Sequence, residues 1–236
     1  MNSRKSLTLL LLAVFAFNFL ETAGEKWLTE EYNWGLEWRQ RLAYASTRLE
    51  GELDFESHEL TNNIAIYGYS VSYFFGLPLL FLAVAVALWR RQSISGYRVL
   101  SLALAVDYWL SLPFFLLFPV PERWSYPSSE AILLSDNWTS ALITGLRPVS
   151  GIDNSFPSFH VSMAVVLIAV GYLCRIRLRR SVLAFGLTIV LSTFVLGIHW
   201  IPDMIAGLAV GLLSVLLAVR LESRLSAVAR LRPRIA

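Results

Sequence analysis

The chain alternates between long apolar runs and shorter polar segments. Six apolar runs occur, at approximately 6–22, 66–89, 97–119, 159–174, 181–199 and 203–220. A helix of roughly 20 mostly apolar residues is long enough to cross a bilayer, so each run predicts one membrane span. The pattern therefore predicts an all-α fold, an integral membrane six-helix bundle, in a single membrane domain that covers residues 1–236.

The first apolar run, at 6–22, has two interpretations. It follows the basic sequence MNSRKS and precedes the small-residue stretch ETAGEKW, which is the order of a secretory signal peptide. Removal of such a peptide would leave five spans, with the mature N-terminus on the outer side. We adopt a retained first span, because the distribution of basic residues is self-consistent across six spans.

The basic residues predict the orientation of these spans. They cluster at the N-terminus, in RRQSISGYR at 90–98, in RIRLRR at 175–180 and in the tail at 221–236. Lysine and arginine accumulate on the cytoplasmic side of membrane proteins, so both termini are predicted to be cytoplasmic. Segments 23–65 and 120–158 and the short turn GIHWIPD are then predicted to face the outer, extracytoplasmic side.

The first outer segment, 23–65, is rich in tryptophan. Its Trp27, Trp34, Trp38 and Leu42 recur at helical spacing, with acidic residues and arginines between them. This pattern predicts an amphipathic helix that lies in the membrane interface. The aromatic side chains either anchor this helix as an aromatic belt or form a surface that selects lipids.

Composition narrows the class of protein and its partners. Hydrophobic residues make up 56% of the chain, charged residues 16%, and the mean hydropathy is +0.57, so it is more apolar than a soluble domain. The single cysteine excludes an internal disulfide and a cysteine-rich metal site. Because the basic clusters follow the topology, membrane lipids are the expected partners and nucleic acid is not. The sequence neither implies nor excludes an oligomer.

Two of the three histidines are predicted to lie on the outer side, each beside a helix start. His160 begins the fourth run in NSFPSFHVSM, and His199 closes the fifth in LGIHWIPD, four residues before Asp203. Pro157 and Pro202 suit the first turn of a helix, where a missing amide hydrogen is tolerated. The free amide groups and partial positive charge at helix starts favour bound anions.

These residue types fit phosphoryl transfer. The His199 imidazole can attack phosphorus, and Asp203 can hold its other ring nitrogen and stabilise the charge that develops. His160 can protonate the departing oxygen and then activate water or an acceptor alcohol. Arg147 can grip a phosphate with two donors, and Ser158 can supply a hydroxyl and an amide. Neither a metal nor a cofactor is then required.

Three motifs resemble those of the type 2 phosphatidic acid phosphatase superfamily in order and spacing. They are RP at 147–148, PSFH at 157–160 and STFVLGIHWIPD at 192–203, within a similarity that covers roughly 95–220. The resemblance implies a metal-independent membrane enzyme of six-span architecture, without a cofactor, that acts on a phospholipid or a polyprenyl phosphate. It implies three catalytic residues: the nucleophile His199, its partner Asp203 and the general acid His160. It implies four substrate-binding residues: Arg147, Pro157, Ser158 and Phe159.

The chain departs from the pattern of that superfamily at three positions. Ser140 stands where a lysine is usual, and Thr193 where an arginine is usual. Phe159 replaces a glycine, as bulky residues do in the branch that resembles inositol phosphorylceramide synthases. That branch transfers a phosphorylated head group between lipids, and a phosphate diester carries less charge than a monoester, so fewer cations suffice. The stretch LGIHWIPDMIAGLAVG, by contrast, is closer to the hydrolase branch.

Three functions are therefore expected as alternatives. The first is a membrane lipid phosphatase that hydrolyses a lipid phosphomonoester or polyprenyl (pyro)phosphate through a phosphohistidine at the outer face. The second is a lipid phosphotransferase that moves a phospho-head group to an alcohol acceptor. The third is a catalytically inactive membrane protein of the same fold.

Two further features belong to the core helices, 66–220. The sequence GLAVG at 207–211 predicts close helix packing inside the monomer. Asp107 lies midway along the third run, where a carboxylate is unfavourable, so it is either a functional group or a hydrogen-bonded structural one. The remaining residues, 221–236, are predicted to form a basic cytoplasmic tail.

Overall fold

The structure is a computed structural model that describes residues 4–32, 36–50, 63–126 and 155–231. Within these ranges the chain forms seven α-helices and one short 3-10 helix, and no strand. The α-helices are α1 (Arg4–Tyr32), α2 (Leu36–Glu50), α3 (Asn63–Arg90), α4 (Ile94–Leu117), α5 (Phe159–Leu173), α6 (Arg179–Val195) and α7 (Ile201–Leu231). The 3-10 helix, Arg123–Ser125, follows α4. The predicted all-α class is confirmed for this part of the chain.

Four of these helices are long and apolar enough to cross a membrane. The qualifying stretches are Lys5–Gly24, Ile64–Arg90, Ile94–Leu117 and Ile201–Ala227. α5 is apolar but has only 15 residues, and α6 has 17. The described part of the chain is therefore consistent with an integral membrane protein with four candidate spans. The count of six spans and the orientation of the termini stay predictions.

The structure corrects the predicted amphipathic helix in 23–65: its residues are divided between two helices, α1 and α2. Trp27 lies on α1, whereas Trp38 and Leu42 lie on α2, and Trp34 lies outside the described residues. Leu42 is partly buried and packs on a small buried cluster. That cluster consists of Ala43, Val120 and Trp200. α2 is therefore docked on the helix bundle at the end where α4 finishes and α7 begins.

The helices pack around one large apolar cluster. α4 and α5 both lie along α7, α1 packs against α4, and α6 packs against α3 and α5. The buried side chains between them include Leu100, Leu167, Val170 and Val215. Asp107 is fully buried in this bundle, where Ser162 Oγ donates to its Oδ2 at 2.9 Å and Ser214 Oγ lies 3.4 Å from Oδ1. These contacts join α4, α5 and α7, which favours the structural interpretation of Asp107.

Two glycines allow α7 to lie directly against the backbone of α5. A Cβ atom on Gly207 would be 2.5 Å from the Ser158 carbonyl oxygen, and one on Gly211 would be 2.6 Å from the Ser162 carbonyl oxygen. Contacts this short do not occur with real side chains, so the two positions require glycine for this approach. The predicted packing of GLAVG inside the monomer is confirmed.

Replacing Gly207 with alanine should push α5 away from α7 and destabilise the protein by about 1–3 kcal/mol, as other overpacked interiors are destabilised. The measurement is the thermal unfolding midpoint of the purified protein in detergent. Gly68→Ala is the matched control, because a Cβ at Gly68 meets no atom within 4 Å. If both variants had the midpoint of the parent protein, the close approach of α5 and α7 would be contradicted.

Candidate active site

α6 ends at a glycine, and this places His199 in a loop. Gly197 has a φ of 72°, a conformation that glycine adopts readily and other residues rarely do. The Ile198 amide donates to the Thr193 carbonyl at 3.1 Å and the Gly197 amide to the Phe194 carbonyl at 2.9 Å. This pair of bonds is a Schellman helix end. The fifth apolar run is predicted to stay helical to His199, and the structure corrects this because the helix stops before the glycine.

Asp203 lies in the first turn of α7 and faces His199. Its Oδ2 accepts a hydrogen bond from the Trp200 amide at 3.1 Å, so the carboxylate caps the start of its own helix. The same oxygen is 3.6 Å from Nδ1 of His199, which is longer than a hydrogen bond but short enough for an ion pair once the ring is charged. Oδ1 of Asp203 is buried and has no hydrogen-bond partner among the described residues.

The start of α5 is joined to the start of α7. Ser158 caps α5, with its Oγ accepting a hydrogen bond from the Val161 amide at 3.4 Å. Its own amide donates to the Asp203 carbonyl at 3.0 Å. Pro157, predicted for the first turn of this helix, instead precedes the capping residue. Pro202 lies in the first turn of α7, as predicted.

His160 is the second residue of α5, and its ring has two aromatic neighbours. It stacks on Tyr73 of α3, with ring centroids 4.2 Å apart and planes 16° apart. Its centroid is 6.1 Å from that of His199, at an interplanar angle of 55°. Two histidines and Asp203 thus meet at one end of the bundle, although they come from two different helix starts.

The sequence matches one known protein family over most of its length. A family model described as the PAP2 superfamily matches residues 48–217, which is more than half of the chain. The chain belongs to the PAP2 superfamily. Phosphatases and phosphotransferases generally make up this superfamily. No curated protein and no solved structure matches the chain. The predicted superfamily is confirmed, and the branch that resembles inositol phosphorylceramide synthases stays a prediction.

Most of the residues predicted for this PAP2 site lie together at the starts of α5 and α7. These are Pro157, Ser158, Phe159, His160, His199 and Asp203. Arg147 lies outside the described residues, as does Ser140. Thr193, at the position of the usual arginine, is fully buried, and its Oγ1 donates to the Val190 carbonyl at 2.8 Å. This threonine belongs to the end of α6 and presents no charge to the site.

Two substrate-binding expectations are modified by the contacts. The ring of Phe159 meets Phe115 edge to face, with centroids 6.4 Å apart, and packs on a buried cluster that includes Tyr108. Its described contacts are therefore apolar ones. The Ser158 amide, expected to donate to phosphate, already donates to Asp203. The hydroxyl hydrogen is the remaining donor of Ser158.

Two buried charged residues of the site belong to no motif in the sequence. Glu50, the last residue of α2, accepts a hydrogen bond from the Ile201 amide at the start of α7. Its other oxygen lies 3.1 Å from Nε of Arg123, which follows α4 in PVPERW. Burial raises the pKa of Glu50, while the Ile201 amide and Arg123 lower it. Tyr73 is likewise found only in the structure, since nothing in its sequence context distinguishes it.

Glu50 and Asp203 reduce the capacity of the start of α7 to bind an anion. Amides of Trp200 and Ile201, at the start of α7, already donate to carboxylates of the protein. The start of α5 is then the better candidate for attracting an anion. Within the described residues, no three histidine, cysteine, aspartate or glutamate side chains are grouped to hold a metal ion.

His199 is buried in its neutral form. Burial lowers the pKa of His199 to about 4, although a hydrogen bond to the backbone of Ser155 raises it. The ring is therefore uncharged at pH 7 and keeps the lone pair that a nucleophile needs.

The burial of His199 predicts a pH dependence of stability. Between pH 6.5 and 4, this ring binds a proton in the unfolded chain but not in the folded one, so the free energy of unfolding should decrease as the pH falls through this window. The decrease attributable to this group is at most about 3 kcal/mol, and it is absent above pH 7.

Unfolding in detergent at pH 7.5 and pH 5 measures this effect. His199→Asn should therefore lose less stability on acidification than the parent protein. Equal losses for His199→Asn and the parent would contradict a neutral, buried His199.

Proposed function

We propose that this protein is a membrane lipid phosphatase that hydrolyses a lipid phosphomonoester or polyprenyl (pyro)phosphate at the outer face, through a phosphohistidine on His199. The observation that carries the proposal is the meeting of His160 and His199, with rings 6.1 Å apart, beside the buried Asp203. Membership of a superfamily of phosphatases and phosphotransferases supports the same class of reaction.

In the first step, His199 attacks phosphorus with Nε2: the ring proton lies on Nδ1, toward Asp203, and the phosphoryl group replaces the contact of the ring with the Ser155 backbone. The bond from Nε2 to phosphorus forms as the bond from phosphorus to the lipid oxygen breaks. His160, whose protonated form is favoured by the negative charge of the bound phosphate, gives its proton to that oxygen. Asp203 stabilises the positive charge on the phosphorylated ring.

In the second step, the neutral His160 takes a proton from water while the water oxygen attacks phosphorus. The bond from Nε2 to phosphorus breaks, inorganic phosphate leaves, and both histidines return to their starting states. Arg147 and the start of α5 are the groups that we assign to the negative charge of the phosphate, together with the Ser158 hydroxyl.

A phosphotransferase is the second candidate. An alcohol that replaces water in the second step would receive the phosphorylated head group. Thr193 supports this candidate, because it is uncharged and bound to the end of α6 where a family arginine is usual. A phosphodiester substrate, with less negative charge than a monoester, suits a site with fewer cations.

Product analysis of the purified protein distinguishes these candidates. The substrates are phosphatidic acid, a polyprenyl pyrophosphate and a phosphodiester lipid, each with and without a polyol acceptor. Release of inorganic phosphate without acceptor is the result that we expect. A new lipid that forms only with the acceptor would make the protein a transferase instead. No turnover with any of these substrates would favour the third possibility, an inactive member of the fold.

The same assay tests the two histidines. His199→Ala should lower kcat at least about a thousandfold, because it removes the nucleophile. His160→Ala should lower it about 10²–10⁴-fold, the usual effect of losing a general acid. Glu37→Ala is the control, because its side chain is 88% exposed, and it should behave like the parent protein. Turnover by His199→Ala at the parent rate would rule out the phosphohistidine.

A further inference from the structure

Glu50 lies where α2 meets the loop between α6 and α7, which carries His199. It is the last residue of α2, yet its carboxylate lies at the first residue of α7 and beside the 3-10 helix. Both members of its ion pair are buried, with the Glu50 side chain 6% exposed and the Arg123 side chain 9% exposed. A buried charge without its partner is strongly unfavourable, so each of the two holds the other in place.

The contacts of Glu50 and Arg123 enclose the loop that carries His199. On the side of α6, the Arg123 amide donates to the Ile198 carbonyl and the Trp124 amide donates to the Gly197 carbonyl, both at 2.9 Å. On the side of α7, the Glu50 carboxylate accepts from the Ile201 amide. The loop is thus held before and after His199, and the ion pair joins the two attachments.

The guanidinium of Arg123 is also fixed by a second contact. Its central carbon lies 5.3 Å from the ring centroid of Phe194, near the end of α6. Arg123 therefore connects α6, the loop and α2 through one side chain and one backbone amide. Nothing in this arrangement requires Glu50 to touch a substrate.

We infer that Glu50 is a positioning residue for the reaction proposed above: it holds the loop at 197–201 so that His199 faces His160. The inference rests on the proposed function. Two other roles are distinguishable from it. In the first, Glu50 only stabilises the docking of α2. In the second, its carboxylate competes with the substrate phosphate for Arg123 and for the start of α7.

The test uses substitutions of Glu50 in the full-length protein. Glu50→Ala should lower kcat by about ten- to a hundredfold, the effect expected of a small displacement of a nucleophile, while KM stays within about threefold. Glu50→Gln keeps an acceptor for the Ile201 amide but loses the charge that pairs with Arg123, so its kcat should lie between those of Glu50→Ala and the parent. Glu50→Gln also keeps the inference testable if Glu50→Ala does not fold.

Glu37→Ala is the matched control on the same helix. Glu37 forms an exposed pair with Arg41, with the Glu37 side chain 88% exposed, and such pairs contribute little. Its kcat and KM should match those of the parent. A parent-like kcat in both Glu50 variants would overturn the inference. If their thermal unfolding midpoints were also lower than that of the parent, the role of Glu50 would be to stabilise the docking of α2. A lower KM or a higher kcat would also overturn it, in favour of competition with phosphate.

Hydrogen–deuterium exchange separates this inference from the proposed function. If the parent protein turned over none of the lipids, the proposed function would fail, but exchange of the amides at 197–204 would still report on the loop. Faster exchange there in Glu50→Gln than in Glu37→Ala would support the positioning role. Equal exchange in the two variants would overturn it.

Discussion

The direct backbone contact between α5 and α7 determines where the proposed catalytic groups lie. Without side chains at Gly207 and Gly211, the first turn of α5 reaches the first turn of α7, and the Ser158 amide bonds to the Asp203 carbonyl. His160 follows Ser158 by two residues, and His199 precedes Asp203 by four. The contact therefore brings together two histidines that the motifs assign to one site but that lie 39 residues apart in the sequence.

The site is built at helix ends, where backbone groups need partners. The end of α6 is closed by Gly197, and the start of α7 is capped by Asp203 and Glu50. Each cap satisfies amide groups and also fixes a side chain or loop near the site. The proposed chemistry would thus depend on contacts that also stabilise the fold.

Sequence reasoning was sufficient where the pattern is local. Apolar runs predicted the helices, GLAVG predicted the close packing, and the order of the motifs predicted the superfamily. The sequence did not predict the end of α6. LGIH continues the hydrophobic pattern, but Gly197 has a positive φ, so the helix ends before it and His199 lies in a loop. Hydropathy carries no information about that dihedral angle.

Contacts between segments that are far apart in the sequence could not be predicted either. Glu50 lies in a mixed, tryptophan-rich segment and Arg123 among prolines, and only the docking of α2 brings their charges together. The stacking of Tyr73 on His160 has the same origin, since α3 and α5 meet only in the folded bundle. Spacing cannot predict such pairs, because no periodicity relates the two members.

The most direct test of the account is to trap and map the covalent intermediate. The protein is mixed with a lipid substrate carrying a labelled phosphate, quenched in alkali, digested and analysed by mass spectrometry. The phosphohistidine mechanism predicts label on His199, stable to alkali and labile to acid, and no label in His199→Ala. Label on His160 or on any other residue, or turnover by the protein with no labelled histidine, would contradict it.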